Sequence, residues 1–249
     1  MRTLVVIPAR LAAVRLPLKP LRLLAGVPLV VRVWERVSAM DVGDACVVAT
    51  DDETVASAVH EAGGKSVITS GSHVSGTERV AEVANMAEYA DFSTIVNVQG
   101  DEPFIGKAAI EGAAHLVASG RFPLGTAASP APWDIGSNPD IVKVVVGDDR
   151  RALYFSRSAI PFRRDSEVEG MRMLQHIGVY AYSRSALSRW ISLEPTALEQ
   201  TERLEQLRPL AAGIPIGVAV AEEVAGAGID TEGDLSRANA RWQEFIGRR

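Results

Sequence analysis

The sequence predicts an α/β fold with a mainly parallel sheet, and three observations carry that prediction. Short β-branched runs alternate with helix-patterned segments through the first hundred residues. Each of the first four runs leads into a polar or charged loop. Beyond residue 120 the pattern changes to strand, turn, strand, which reads as an antiparallel section. A chain of 249 residues suits one large α/β domain or a domain with an inserted lobe.

The first strands are "TLVVIPA", "ACVVATD", "KSVITS" and "STIVNVQG". Between the first two, "PLVVRVWERVSAM" places Leu29, Val30, Val33, Trp34 and Val37 on one helical face. A second helix, Thr54 to Ala62, stops at Gly63-Gly64. Strand, helix, strand at this spacing predicts parallel βαβ units with right-handed crossovers. In such sheets ligands bind beyond the carboxyl ends of the strands. Those ends carry "PARLAAVRLPLKP", "TDDE", "SGSHVSGTER" and "QGDEPF". Further along, "DIVKVVVGDDRRALYFSRSAIPF" reads as two strands joined by a polar turn from Gly147 to Arg151, and "QHIGVYAYS" as a third. This middle section, about 133–185, is expected to form an antiparallel lobe or a dimer surface. "ALEQTERLEQLRPLAAG" reads as one helix ending at Gly213, "IGVAVAEE" as a strand, and "TEGDLSRANARWQEFIG" as a last helix with Thr231 as its N-cap.

Composition narrows the function classes. A net charge of −5 disfavours a general nucleic-acid binder, although a local basic loop can still hold a nucleotide. Cys46 is the single cysteine, so no intrachain disulfide forms, as expected for a cytoplasmic protein. No apolar run is long enough for a bilayer, and the N-terminus reads as strand then loop rather than as a signal peptide.

Several groups of residues point to chemistry. Arg10, Arg15 and Lys19 follow the first strand, where cations and backbone N–H groups suit a diphosphate or triphosphate. The loop is not of the Walker type, and three ordinary surface cations are the alternative. Asp101 in "NVQGDEP" and Asp230 in "GAGIDT" each follow an apolar run. Two carboxylates from separate strand ends suit Mg²⁺, a hard cation that also takes phosphate oxygens. Singly, Asp101 reads as a turn residue and Asp230 as a helix cap, and Glu102 before Pro103 as a turn residue. In "SGTER", Ser75 or Thr77 is a cap, and Arg79 is placed to face a ligand. Arg157, His176, Tyr180, Glu205 and Gln206 form a further set, with His176 and Tyr180 on one strand face; each alone reads as structural. The histidines show no zinc-ligand spacing.

The blocks "VVIPAR", "RLPLKP", "VVATDD", "SGTERVAEV", "VNVQGDEPFI", "NPDIVKVV", "ALYFSRSAIPF", "HIGVYAY", "LEQLR" and "GIDTEGDL" occur in an order and spacing that resemble the 3-deoxy-manno-octulosonate cytidylyltransferase, or CMP-KDO synthetase, family. The resemblance runs over nearly the whole chain. It implies a Rossmann-like nucleotidyltransferase fold, a single domain over residues 1–249, and an antiparallel lobe that makes a homodimer. It implies that CTP and KDO give CMP-KDO and pyrophosphate with Mg²⁺, for the lipopolysaccharide core. By the same resemblance Arg10, Arg15 and Lys19 hold the triphosphate, and Asp101 and Asp230 hold the metal. Lys19, Asp101 and Asp230 are then catalytic, Arg79 and Gln99 lie near the cytidine, and Arg157, His176, Tyr180, Glu205 and Gln206 surround the sugar acid. Ala13, Val14 and Leu18 depart from the family loop, which has small hydroxyl residues and a glycine there. A related sugar acid, amino-KDO or sialic acid, or a catalytically weak nucleotide- or sugar-binding homologue, are the alternatives.

Overall fold

The computed structural model describes residues 2–11, 15–164, 172–222, 226 and 228–246. Ala13 and Val14 lie outside them. The chain divides into two compact units, Arg2–Lys107 with Gly226–Arg249, and Ala108–Ala225.

The first unit opens with β1 (Thr3–Ala9), a 3-10 turn (Lys19–Leu21) and a small hairpin of β2 (Leu23–Leu24) and β3 (Val27–Pro28). It continues through α1 (Leu29–Ala39), β4 (Ala45–Thr50), α2 (Glu53–Glu61), β5 (Ser66–Ile68), α3 (Gly76–Ala84), a second 3-10 turn (Ala87–Tyr89) and β6 (Thr94–Val98). Its sheet runs β6-β1-β4-β5 and is parallel throughout, as the βαβ spacing predicts. Val5 stands opposite both Cys46 and Val96. Leu4, Val6, Ile7, Val47, Val48, Ile95 and Val96 are fully buried, the continuous apolar pattern of strands covered on both faces. Helix α1 buries Leu29, Val30, Val31, Val33 and Val37, while Trp34 stays partly exposed. Each such aliphatic side chain contributes about 1.5–3 kcal/mol through burial. Asp52 caps α2 by accepting from Thr54 and Val55, and Ser75 caps α3 by accepting from Glu78.

The second unit comprises α4 (Lys107–Ala118), β7 (Leu124–Ala131), a 3-10 turn (Trp133–Ser137), β8 (Lys143–Val146), β9 (Ala152–Ser156), β10 (Met173–Ser183), α5 (Arg184–Ile191), α6 (Ala197–Glu202), α7 (Leu207–Ala211) and β11 (Ile216–Val220). Antiparallel pairing joins β10 to β7 and β8, and β8 to β9, while β11 runs parallel to β7. Strand β7, "LGTAASPA", has almost no local strand signal. Its small residues answer a packing need instead, since a Cβ at Gly125 would collide with the Ala113 carbonyl on α4.

The single helix expected up to Gly213 is two short ones, broken at Arg203 with φ 52°. Arg157 caps the break. Its Nε donates to the Glu202 carbonyl at 2.8 Å and its Nη2 to the Arg203 carbonyl at 3.3 Å. The Glu202 carboxylate in turn accepts from Ser156 Oγ at 2.7 Å and the Arg157 N–H at 3.0 Å. These contacts satisfy the carbonyls left open where α6 ends. Beside them Lys143 is fully buried. Its ammonium donates to the carbonyls of Asn138 at 2.9 Å and Ile141 at 2.7 Å, and also to that of Arg157. All three donors of the cation are satisfied, the condition under which a buried ammonium is tolerated.

The chain then returns to the first unit as α8 (Glu232–Ile246). Thr231 caps it as expected, its Oγ1 accepting from Asp234 N–H at 3.2 Å. Trp242 and Phe245 pack on Phe104 at 5.8 and 4.9 Å between ring centres. The Arg36 guanidinium lies 4.5 Å over Phe245 and that of Arg32 lies 5.2 Å over Trp242.

Replacing Lys143 by Ala leaves three inward-facing carbonyls without their donor. The expected cost is about 3 kcal/mol, read as a lower urea midpoint with unchanged slope.

Candidate active site

The carboxyl ends of β1, β4 and β6 and the start of α3 gather the first group of functional side chains. Gln99 follows β6 and donates from Nε2 to Asn97 Oδ1 at 3.3 Å. Its Oε1 faces the first residue of α3, where a Cβ on Gly76 would stand 3.8 Å away. Arg79, on the first turn of α3, is only 3% exposed. It pairs with Asp51 Oδ2 at 3.3 Å and donates to Thr69 Oγ1. Its guanidinium therefore ties the ends of β4 and β5 to α3.

Asp101 and Asp230 meet although 129 residues separate them in sequence. The Ile229 N–H donates to the Asp101 carbonyl at 2.9 Å, which lays the segment before α8 against the turn after β6. Lys19 stands between the two carboxylates. Its Nζ donates to Asp230 Oδ1 at 2.7 Å and to Asp101 Oδ2. Arg15 reaches the other Asp230 oxygen at 3.0 Å. Arg10 is exposed. Burial opposes the charge on Lys19, but Asp101 and Asp230 outweigh it and raise its pKa. Because Thr231 supplies the helix cap, the Asp230 carboxylate is left to face these cations.

Glu102 has a larger place than the turn residue expected of it. Its N–H does close a turn, donating to the Gln99 carbonyl at 3.2 Å. Its carboxyl is pushed up to about 8, first by burial and then by the charges of Asp101 and Asp230, with Lys19 opposing. A Cβ on Gly228 would lie 2.9 Å from Glu102 Oε1, so glycine there admits the close approach. Adjacency to Asp101 was the available signal for Glu102. Among the described residues no group of three or more Asp, Glu, His or Cys side chains closes into a metal cage. A cation on this acidic pair would draw on substrate oxygens as well.

Leu18, where the family loop has glycine, adopts φ 57° and ψ 29° and is 52% exposed. That is the left-handed conformation glycine enters freely and leucine enters at a cost of about 1 kcal/mol. The backbone thus turns as a glycine would, and carries Lys19 into the acidic pair.

The second group lies wholly in the second unit. His176 on β10 has Nε2 2.8 Å from Thr126 Oγ1, and that hydroxyl donates to the Val179 carbonyl at 2.7 Å. With its proton so used, Thr126 accepts from His176, which fixes the neutral Nε2–H tautomer and leaves a lone pair on Nδ1. Burial pulls the His176 pKa down to about 3. Its ring lies edge-on to Phe155 at 5.2 Å and 5.4 Å from Tyr180. Tyr180 packs edge-on to Trp190 at 5.7 Å. Burial, then Tyr182 and Glu205, hold its phenol well above the ordinary value, which brings Glu205 into the same neighbourhood. Gln206, 5% exposed, precedes α7 in the segment that the helix break creates. Arg157 has its guanidinium on the carbonyls of Pro139 at 2.8 Å, Glu202 and Arg203. Lys143, beneath it, had no sequence signal beyond one lysine inside an apolar strand.

A cytidylyltransferase family model matches residues 4–216. A 3-deoxy-manno-octulosonate cytidylyltransferase of Gemmatimonas aurantiaca is 56% identical over 245 residues, 97% of this chain and 95% of that protein. The solved structure of CMP:2-keto-3-deoxy-manno-octonic acid synthetase complexed with CTP superposes with a TM-score of 0.90 at 37% identity, covering 98% of this chain and 99% of that one. A cytidylyltransferase from Leptospira borgpetersenii shares the fold with a TM-score of 0.63 at 15% identity, covering 98% and 87% of the two chains.

The His176 assignment has a pH signature. The folded pKa of about 3 lies below the unfolded value of 6.5, so the neutral ring contributes stability above pH 6.5 that is lost as pH falls toward 3. In an NMR titration the His176 ring signals should hold their positions at pH 5. His176→Gln should lose less stability than the parent between pH 6.5 and 4.

Proposed function

The chain belongs to the cytidylyltransferase family, and from that premise we infer its reaction: it activates KDO with CTP, giving CMP-KDO and pyrophosphate. The observation in the molecule itself that carries this reading is the meeting of Asp101, Asp230, Arg15 and Lys19 where β1 and β6 end. In the transfer the anomeric oxygen of the sugar bonds to the α-phosphorus, and the bond to the bridging oxygen of pyrophosphate breaks. The hydroxyl proton passes to solvent water. Both entering and leaving oxygens carry negative charge, so catalysis rests on positioning and neutralisation.

We assign the triphosphate to Arg10, Arg15 and Lys19, with the arginines gripping phosphate oxygens in forked pairs and Lys19 acting as a mobile point charge. Asp101 and Asp230 are assigned to Mg²⁺. Their hard oxygens fit it, and the pair already holds an ammonium between its members. When bound, the metal neutralises phosphate charge and makes the attacking hydroxyl more acidic. Gln99, after β6 and facing the start of α3, is placed to hydrogen-bond a base edge, while Arg79 acts by fixing Asp51 and Thr69. The sugar acid is assigned to Arg157, His176, Tyr180, Glu205 and Gln206. There the His176 Nδ1 lone pair accepts from a sugar hydroxyl. Arg157 orders the backbone through its three carbonyl contacts.

The setting follows from the substrates. CTP supports a cytoplasmic location, KDO supports a role in lipopolysaccharide synthesis, and among the described residues no helix is long and apolar enough to cross a membrane. We also propose a homodimer through the antiparallel section, where Leu153 is 56% and Phe162 87% exposed. Apolar side chains displayed in this way suit an interface.

Pyrophosphate release from CTP, measured with KDO, amino-KDO and sialic acid, should be fastest with KDO. Turnover with only another acid would overturn the assignment. Asp101→Asn and Asp230→Asn should each lower kcat about 100-fold or more while the melting temperature stays near the parent's. Near-parental activity in either would remove the carboxylates from the mechanism.

Sedimentation should show a dimer at micromolar concentration, and Phe162→Glu should shift it toward monomer. A monomeric parent would end the dimer proposal.

A further inference from the structure

We propose that Lys19 and the divalent cation compete for the same two carboxylates, so that Lys19 holds the metal off until a polyphosphate draws the lysine away. This rests on the assignment of Asp101 and Asp230 to the metal. It adds an exchange to the neutralising role already given to Lys19.

The contacts leave little room for two cations. Lys19 occupies Asp230 Oδ1 at 2.7 Å and one oxygen of Asp101, and Arg15 takes the second Asp230 oxygen at 3.0 Å. The Lys19 side chain is 14% exposed, so water screens it poorly. A divalent ion entering between the carboxylates would overlap the ammonium and repel both bases. Mg²⁺ gives up its water reluctantly and gains most from sites that add substrate phosphates, so two carboxylates alone offer it little against a resident cation.

The backbone around Lys19 is anchored. Leu16 is fully buried and Pro20 is buried in the 3-10 turn. The exchange therefore falls to the side chain, whose four-carbon stem lets the charge move without the main chain. A triphosphate offers Lys19 and Arg15 new anionic oxygens, and their departure exposes the carboxylates to the metal. Because coupling between binding sites is reciprocal, metal and nucleotide then strengthen each other's binding. Leu18 sets the geometry of the exchange, since its left-handed turn aims Lys19 at the acidic pair.

The test uses Mn²⁺ as probe and calorimetric titration of the full chain without nucleotide. Lys19→Met should bind Mn²⁺ at least tenfold more tightly than the parent. Mn²⁺ should also raise the melting temperature of that variant by more than it raises the parent's. The Lys19→Met/Asp101→Asn double variant should lose the gain. If Lys19→Met binds Mn²⁺ no more tightly than the parent while Asp101→Asn still abolishes metal-dependent turnover, the exchange is wrong and the metal assignment stands. If the double variant keeps the gain, the metal lies elsewhere and the assignment of the carboxylates falls with the proposal. Lys19→Gln gives the same comparison should the methionine variant not fold.

Discussion

Two like-charged carboxylates held side by side need a cation, and much of the first unit is arranged around that requirement. One backbone hydrogen bond, from Ile229 N–H to the Asp101 carbonyl, brings the acids together. The repulsion that follows is met by Lys19 and Arg15, while burial first and then the charges of both acids raise the pKa of the neighbouring Glu102 carboxyl. Everything that fixes the Ile229 contact contributes to the site. Thr231 and Asp234 close the start of α8 without using the Asp230 side chain. Phe104, three residues beyond Asp101, receives Trp242 and Phe245 from the far end of the same helix. The aromatic contacts and the acidic pair are thus two ends of one docking event.

The second unit handles polarity in another way. Two of its cations are held by neutral carbonyls, the buried Lys143 by three and the partly exposed Arg157 by three, while Arg208 pairs with Glu199. Carbonyl cages of this kind stiffen irregular backbone, and here they fix the break that separates α6 from α7 and presents Glu205 and Gln206. His176 completes the contrast. It is kept neutral by burial and oriented by a threonine that has already given its proton away. A neutral, oriented acceptor beside aromatic rings suits a hydroxyl-rich ligand, just as a cluster of cations with an acidic pair suits phosphates and metal.

The sequence by itself determined the features whose physics is local. The βαβ alternation, the cap at Thr231, a cap at Ser75 or Thr77 that the structure settles as Ser75, the turn at Gly147 to Arg151 and the end of α2 at Gly63 all depend on residues within a few positions of one another. The family, too, was legible, because blocks in fixed order span the chain and 56% identity to a relative bears them out. Tertiary structure alone decided the rest. Strand β7 is held by its pairing with β10 and β11, with Gly125 letting α4 approach, and the end of α6 is capped by Arg157, some 45 positions earlier. Arg79 has Asp51 and Thr69 as partners, which no spacing in "SGTER" announces. Lys19 lies 82 positions from Asp101 and 211 from Asp230, so its choice between phosphate and carboxylate is invisible in the chain. A charge declares its sign in the sequence, but the partner that neutralises it is set by which distant segments the packed core brings within hydrogen-bonding reach.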